Sequence, residues 1–367
     1  MKILLIGEYS NVHWTLAEGL RALGHQVTVL SNGDFWKNYP RDLNLVRDYK
    51  LFGGLRYALH LMTFLPSLRK YDVVQLINPM FLELKAERIL PIYKYLRKHN
   101  KKIFLGAFGM DYYWVHENIY RKPLRYSDFN IGNKLRTNDD ALKERKDWID
   151  TPKEKLNKYI ANDCDGIIAG LYEYWACYQP LFPGKTAFIP YPIKNGKKLS
   201  LSNNDKLRIF IGINKERSEY KGTDIMLKAA QEIVAKYPAN AELKIAESLP
   251  FAKYQKMMSD SDVILDQLYS YTPAMNALEA MNQGIIVIGG GEPENYKILH
   301  EKELKPIINV EPNYDSVYHK LEELILHKEN INTLKEQSIA YIQKHHDYIK
   351  VAKQYEKLYG MEENIHL

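Results

Sequence analysis

Residues Asp262 to Gly291 read DVILDQLYSYTPAMNALEAMNQGIIVIGGG, and the order of elements in this stretch decides the fold. Asp262 to Leu268 is a short apolar run suited to a buried parallel strand. Thr272 and Pro273 have the chemistry of an N-cap followed by a proline at the first helical position, and Gly284 stands where a helix should stop. A second apolar strand, Ile285 to Ile288, follows at once. This order places the start of a Pro273–Gln283 helix at the carboxyl edge of a parallel sheet. There the unpaired N–H groups and the helix dipole favour an anion such as a diphosphate, with Thr272, Pro273, Ala274 and Met275 around it. Glu279 lies about two turns further along. A carboxylate repels phosphate, so Glu279 either pairs with a ribose hydroxyl or faces water.

The same rhythm runs through the rest of the chain. Lys2 to Ile6 reads as a strand, Gly7 to Asn11 as a loop, Val12 to Leu23 as a helix with Leu16, Leu20 and Leu23 on one stripe, and Gln26 to Leu30 as the next strand. That loop lacks the glycines of a dinucleotide fingerprint, which argues against a nicotinamide or flavin cofactor. Further strands are expected at Val73 to Ile77, Lys102 to Leu105 and Gly166 to Ala169. Tyr126 to Thr151 is polar and weakly periodic, an excursion from the sheet suited to a mobile cover. Pro183 to Asp205, rich in Pro, Gly and polar residues, has the composition of a hinge. The pattern then restarts with Leu207 to Ile213, a Thr223–Tyr237 helix, Glu242 to Ala246 and Phe251 to Met258. A helix over His345 to Tyr359 aligns Tyr348, Ala352, Tyr355 and Tyr359 on one side.

At 367 residues the chain exceeds the size at which one core keeps growing, so two domains are expected. No segment approaches the roughly 20 apolar residues of a membrane span, and the amino terminus has neither the basic start nor the cleavage site of a signal peptide. Cys164 and Cys177 are the only cysteines, which fits a reducing cytoplasm and excludes a disulfide framework. The net charge of +6 is modest, but basic residues bunch with aromatics between Arg56 and Tyr126. Lys101, Lys102, Arg121 and Lys122 belong to these clusters. They are either a solvated surface or a site for anionic lipid at the inner face of the plasma membrane; nucleic acid is not expected, since no recognition motif accompanies the charge.

Leu278-Glu279-Ala280-Met281, followed by Gly284 and an apolar strand, resembles the LEAM signature of retaining, family 4-like glycosyltransferases, and the resemblance extends over nearly the whole chain. Bacterial surface-polysaccharide enzymes are among them. The resemblance implies the α/β GT-B fold, two Rossmann-like domains facing across a cleft. It implies an acceptor domain over residues 1–190, a linker over 191–205, a nucleotide-sugar domain over 206–344, and a carboxyl-terminal helix within 345–367 crossing back to the first domain.

Residue by residue, the family pattern assigns Glu279 to the donor ribose and Arg217 and Lys221 to the donor diphosphate. Glu247 and Leu249 fall where the family holds the base, a position that a plain turn explains equally well. Gly109-Met110-Asp111 resembles the family's acceptor-side Gly-x-Asp. Asp111 then either orients the acceptor or caps the following helix. Asn11 and His13 lie on the same side. The chain departs from the pattern at two places: Tyr271 replaces the Glu that contacts the transferred sugar, and Phe108 replaces a His. Asp266-Gln267 with the small-residue loop after it resembles a variant subgroup. The implied reaction moves a hexose from a nucleotide diphosphate sugar to a hydroxyl of a glycan or lipid-linked glycan, with retention, and with no cofactor and no metal motif. Two other activities share the expected architecture: a nucleotide-sugar 2-epimerase, and a catalytically silent sugar-nucleotide-binding partner of a polysaccharide assembly complex, which the two departures motivate.

Overall fold

The computed structural model describes residues 1–195, 206–214, 218–247, 249 and 251–360. It contains two compact units. Residues 1–123, 143–192 and the chain from Tyr348 onward form one; residues 124–142 and 193–347 form the other. Residues 196–205 of the expected linker lie outside the described residues.

The first unit opens with β1 (Lys2–Ile6), α1 (Val12–Ala22), β2 (Gln26–Ser31), β3 (Leu43–Asn44) and α2 (Gly53–Phe64). It continues with β4 (Val73–Leu76), α3 (Ala86–His99), β5 (Lys102–Ala107) and α4 (Tyr112–Tyr120). The excursion follows, with a two-stranded hairpin of β6 (Asn130–Ile131) and β7 (Lys134–Leu135) and then α5 (Asp139–Trp148). The expected cover is therefore partly ordered structure, and its first part, through Leu142, packs with the second unit. After α6 (Pro152–Asp163) come β8 (Gly166–Ala169), α7 (Tyr172–Tyr178) and β9 (Thr186–Phe188). The strands pair in parallel in the order β3-β2-β1-β4-β5-β8-β9. Ile3 to Ile6 are buried on both faces, as a central parallel strand covered by helices requires.

The second unit holds β10 (Leu207–Ile213), α8 (Ser218–Lys221), α9 (Thr223–Lys236), β11 (Ala241–Glu247), α10 (Phe251–Ser259) and β12 (Val263–Leu265). It is completed by α11 (Met275–Asn282), β13 (Ile286–Ile288), α12 (Pro293–Ile298), α13 (Tyr314–Leu326) and α14 (Ile331–His345). Its parallel sheet runs β11-β10-β12-β13. Asp262, fully buried at the foot of β12, gathers two cations: Arg208 donates through its backbone N–H, Nε and Nη2, and the buried Lys335 donates at 2.6 Å. These bonds hold the Asp262 carboxyl down at about 2 against the opposing effect of burial.

The last helix is shorter than expected. α14 ends at His345, and α15 (Tyr348–Gly360) begins only after Ile193 has donated its N–H to the His346 carbonyl at 2.7 Å and bridged to Asp347. A backbone that pairs with Ile193 in strand fashion cannot continue the helical ladder. The expected return to the first unit holds: α15 packs on α1, burying Val351, Ala352, Tyr355 and Tyr359. Gly19 makes the approach possible, since a Cβ there would stand 2.5 Å from the Tyr348 carbonyl oxygen and 2.8 Å from the Ala352 Cβ.

Replacing Asp262 with alanine removes the carboxylate that Arg208 and the buried Lys335 share and should destabilise the second unit by about 3–5 kcal/mol, measured by urea unfolding. Lys335→Met should cost less, because Arg208 still pairs with Asp262.

Candidate active site

In the second unit the strand order steps from β10 to β11 in one direction and from β10 to β12 in the other. Loops leaving the carboxyl ends of β10 and β12 therefore diverge around a crevice, the usual ligand position in an open parallel sheet. Past the carboxyl end of β10, α8 ends on Lys221, and the loop after β12 leads into α11. The two are joined: Leu268 donates its N–H to the Lys221 carbonyl at 3.1 Å. Asp266 lies between them. Asn276 donates to its carboxylate at 3.1 Å, and Tyr254 donates to Asn276 at 3.0 Å. Burial pushes the Asp266 carboxyl up, opposed by Asn276 and by the Lys221 charge. Lys221, Asp266 and the start of α11 thus meet at one sheet edge. Arg217 lies outside the described residues.

α11 starts at Met275 with Ala274 in the N-cap position, two residues later than its sequence suggests. Thr272 is not its cap. Ser270 Oγ donates to the Thr272 carbonyl at 2.6 Å, and Thr272 and Pro273 are buried in the loop ahead of the helix. Gly289, at φ +119°, lets the chain after β13 pass this loop; a Cβ there would lie 2.7 Å from the Gln267 carbonyl oxygen. Glu279 is half-buried in the second turn of α11, whose Leu278, Ala280 and Met281 face the core. Glu247, exposed, closes β11 beside the end of β10, with half-buried Leu249 just beyond it.

Tyr271 turns inward. It is buried, its hydroxyl accepts the Arg125 N–H at 2.7 Å, and its ring lies 4.8 Å from that of Tyr126. Glu292, also buried, accepts from the Tyr126 hydroxyl and the Arg125 guanidinium, and Glu294 accepts from Arg125 Nη1 at 2.6 Å. Arg136 completes the attachment of segment 124–142. It donates to the Glu219 and Tyr220 carbonyls at 2.7 and 3.0 Å, beside Lys221, with its guanidinium 3.8 Å from the Tyr269 ring centroid. Nothing in the sequence marks Arg136, because the two carbonyls it reaches beside Lys221 lie more than 80 residues away.

In the first unit the strand order reverses between β1 and β4; of the residues expected on the acceptor side, Asn11 follows β1, His13 lies in α1, and Gly109 and Asp111 follow the neighbouring β5. Asn11 occupies the N-cap position of α1 in a left-handed conformation without a side-chain cap. The cap comes from Glu8, which accepts the His13 and Trp14 N–H groups at 3.2 and 2.9 Å. Gly109 faces the Tyr9 ring, and Asn78 donates to the Met110 carbonyl at 3.1 Å. Glu8, Tyr9, Asn32, Tyr57, Met80 and Glu83 are among the residues around a cavity of about 90 Å³.

Two expected acceptor-side groups turn inward. His13 is fully buried; its Nδ1 lies 2.8 Å from the Gly7 carbonyl, and Gln75 Nε2 lies 3.0 Å from its Nε2. Burial pushes its imidazole down to about 3, so it stays neutral, with Nδ1 donating and Nε2 accepting. Asp111 caps α4 by accepting the Trp114 N–H at 2.8 Å and also accepts the Tyr178 hydroxyl at 2.8 Å. Phe108 is buried against Tyr191 and His13. The basic clusters are engaged as well: Lys101 pairs with Asp72, Lys102 donates to the Tyr359 carbonyl, and Arg121 pairs with Glu117.

No protein-family model matches the sequence, and no curated protein matches it. Solved structures do match the fold along nearly its whole length. HepE of Anabaena, crystallised with UDP-glucose, is 12% identical, with a TM-score of 0.62 over 98% of this chain and 100% of that one. Sucrose-phosphate synthase from Thermosynechococcus elongatus is 13% identical, with a TM-score of 0.63 over 98% of both chains. A glycosyltransferase from Rickettsia africae is 12% identical, with a TM-score of 0.55 over 97% of both. The chain has the GT-B fold expected from its signature.

Burial pushes the Asp111 carboxyl up to about 7 and that of Glu8 to about 8. A folded-state pKa above the unfolded one favours the protonated fold. This stabilisation is complete below about pH 4 and is lost as the pH rises through 7 and 8. The first unit should therefore unfold at a lower temperature at pH 8 than at pH 5 in scanning calorimetry, and Asp111→Asn should flatten that slope.

Proposed function

We propose that this chain is a glycosyltransferase that moves a sugar from a nucleotide diphosphate donor to a hydroxyl of a glycan or lipid-linked glycan. The observation that carries the reading is the meeting of Lys221, Asp266 and the start of α11 at the carboxyl edge of the four-stranded sheet, in a chain with the GT-B fold. An α-helix start and a lysine supply the two charges that a diphosphate needs, and Glu279 stands one turn into the helix for the ribose. Arg217, four positions before Lys221 in the sequence, is the second cation of the clamp. Thr272 to Met275 form the walls, and Glu247 and Leu249 frame the base. A uridine donor is the first to test, because HepE was crystallised with UDP-glucose.

The acceptor belongs with the first unit, where Asn11 lies in the loop after β1, at the strand-order reversal, and Gly109 in the loop after β5, the neighbour of β4. The buried settings of His13 and Asp111 make them supports of these loops. Chemistry then rests on the leaving diphosphate, which takes the acceptor proton on the same face of the sugar, a retaining course that needs no separate base. The absence of a span in the sequence and the two buried, free cysteines suit a cytoplasmic enzyme working on surface-polysaccharide precursors. Among the described residues no helix is long and apolar enough to cross a membrane.

Tyr271 and Phe108 favour one other reading, a silent sugar-nucleotide-binding partner. Turnover of UDP-sugars with and without a glycolipid extract separates the readings. Acceptor-dependent release of UDP supports transfer, donor isomerisation without acceptor indicates an epimerase, and binding without either reaction indicates the partner.

Glu279→Ala should weaken UDP-sugar binding in calorimetry by about 1.5–3 kcal/mol, the range for hydrogen bonds to a charged group, without lowering the melting temperature. Lys221→Ala should lower kcat more than donor affinity, since the diphosphate gains charge as it leaves. An affinity loss with unchanged kcat would restrict Lys221 to binding.

A further inference from the structure

α2 is apolar on two opposite faces. Its inward stripe, Gly53, Tyr57 and Leu61, is buried in the first unit. A second stripe, Leu55, Leu59 and Met62, follows the i, i+4, i+7 spacing of one helical face and is about 60% exposed at each position; Leu51 and Phe52 extend it, at 79% and 66% exposed. The inward stripe alone satisfies the core. The outer one leaves more than half of each side chain in water, an exposed apolar surface of the kind that marks an interaction site.

Charge selects its partner. Between Arg47 and Lys70 the sequence carries five basic residues, Arg47, Lys50, Arg56, Arg69 and Lys70, against one acidic residue, Asp48. Arg56 stands 3.7 Å from Asp48, which leaves a surplus of positive charge around an apolar helix face. Trp36, 65% exposed, adjoins Phe35, which lines the same cavity as Tyr57 of α2. Apolar and aromatic groups ringed by cations match the boundary between acyl chains and anionic headgroups.

We propose that α2 lies in the plane of an anionic bilayer, with Leu51, Phe52, Leu55, Leu59 and Met62 inserted at the headgroup boundary. Tyr57, on the opposite face of the helix, then carries the cavity of the first unit to the membrane surface, where a lipid-linked hydroxyl is presented. This identifies the acceptor side of the transferase reading with a membrane surface and rests on that reading only for the acceptor; the docking itself stands on α2. It also moves the contact away from Lys101, Lys102 and Arg121, which are engaged within the protein.

The test is sedimentation of the full chain with vesicles of equal parts phosphatidylglycerol and phosphatidylcholine, and with phosphatidylcholine alone. The proposal expects binding to the anionic vesicles, weakened but not abolished by salt, and little binding to the neutral ones. Leu55→Glu/Leu59→Glu/Met62→Glu should reduce binding at least about tenfold, while Lys101→Glu/Lys102→Glu should leave it unchanged. UDP-sugar calorimetry on the same triple variant reports separately on the donor site and on folding. Equal vesicle binding by the triple variant and the wild type overturns the proposal. So does a wild type that ignores vesicles but forms a dimer in light scattering that the triple variant loses, which would assign the face to a second copy of the chain. Loss of donor binding by the unmodified chain would overturn the transferase reading and leave the membrane result standing.

Discussion

Parallel pairing in an open sheet sends all loops at the strand ends of one polarity to one edge, and the point where strand order reverses opens that edge for a ligand. Both units obey this constraint. In the first, β1 and β4 part at the loops that carry Asn11 and Asn78; in the second, β10 and β12 part where α8 ends on Lys221 and the loop after β12 carries Asp266. The position of each candidate site follows from strand order before any side chain is considered. The side chains then decide what the edge can bind.

Buried polar networks fix that edge. In the first unit, the Tyr359 hydroxyl donates to Gln75, Gln75 donates to His13, and His13 donates to the Gly7 carbonyl. The last helix of the chain is thereby linked through β4 to the first loop. In the second unit, Asp262 with Arg208 and Lys335 ties β12 to β10 and α14. Most of these bonds join residues distant in sequence, and leaving one buried group unsatisfied costs more than a satisfied bond contributes. Such networks specify one arrangement of loops more than they add stability.

Tyr271 shows how a departure from a family pattern becomes intelligible. The position is used to attach segment 124–142, through Arg125 and Tyr126, to the loop that precedes α11. Arg136 of the same segment holds the end of α8 beside Lys221. A carboxylate at 271 would lie among Glu292 and Glu294, whose charges Arg125 already offsets. A phenol fits there because it accepts the Arg125 N–H without adding charge.

The sequence by itself determined the alternation of strands and helices, the two-unit organisation and the return of the last helix, because each is written in local periodicity and in glycine or proline punctuation. The LEAM block, with Lys221, pointed to the edge where those residues meet. Boundaries set by distant contacts were not legible. Thr272 has the chemistry of an N-cap, but the Ser270 bond holds it in a loop, where it is buried with the Gly290 backbone beside it. His345 belongs to a helix that stops because His346 pairs with Ile193. Roles that depend on burial were hidden for the same reason. His13 and Asp111 have the polarity of site residues, yet only packing shows that both point inward, and only packing shows that the leucines of α2 point outward. Periodicity reports which residues share a face; which face meets the core is decided by what the rest of the chain places against it.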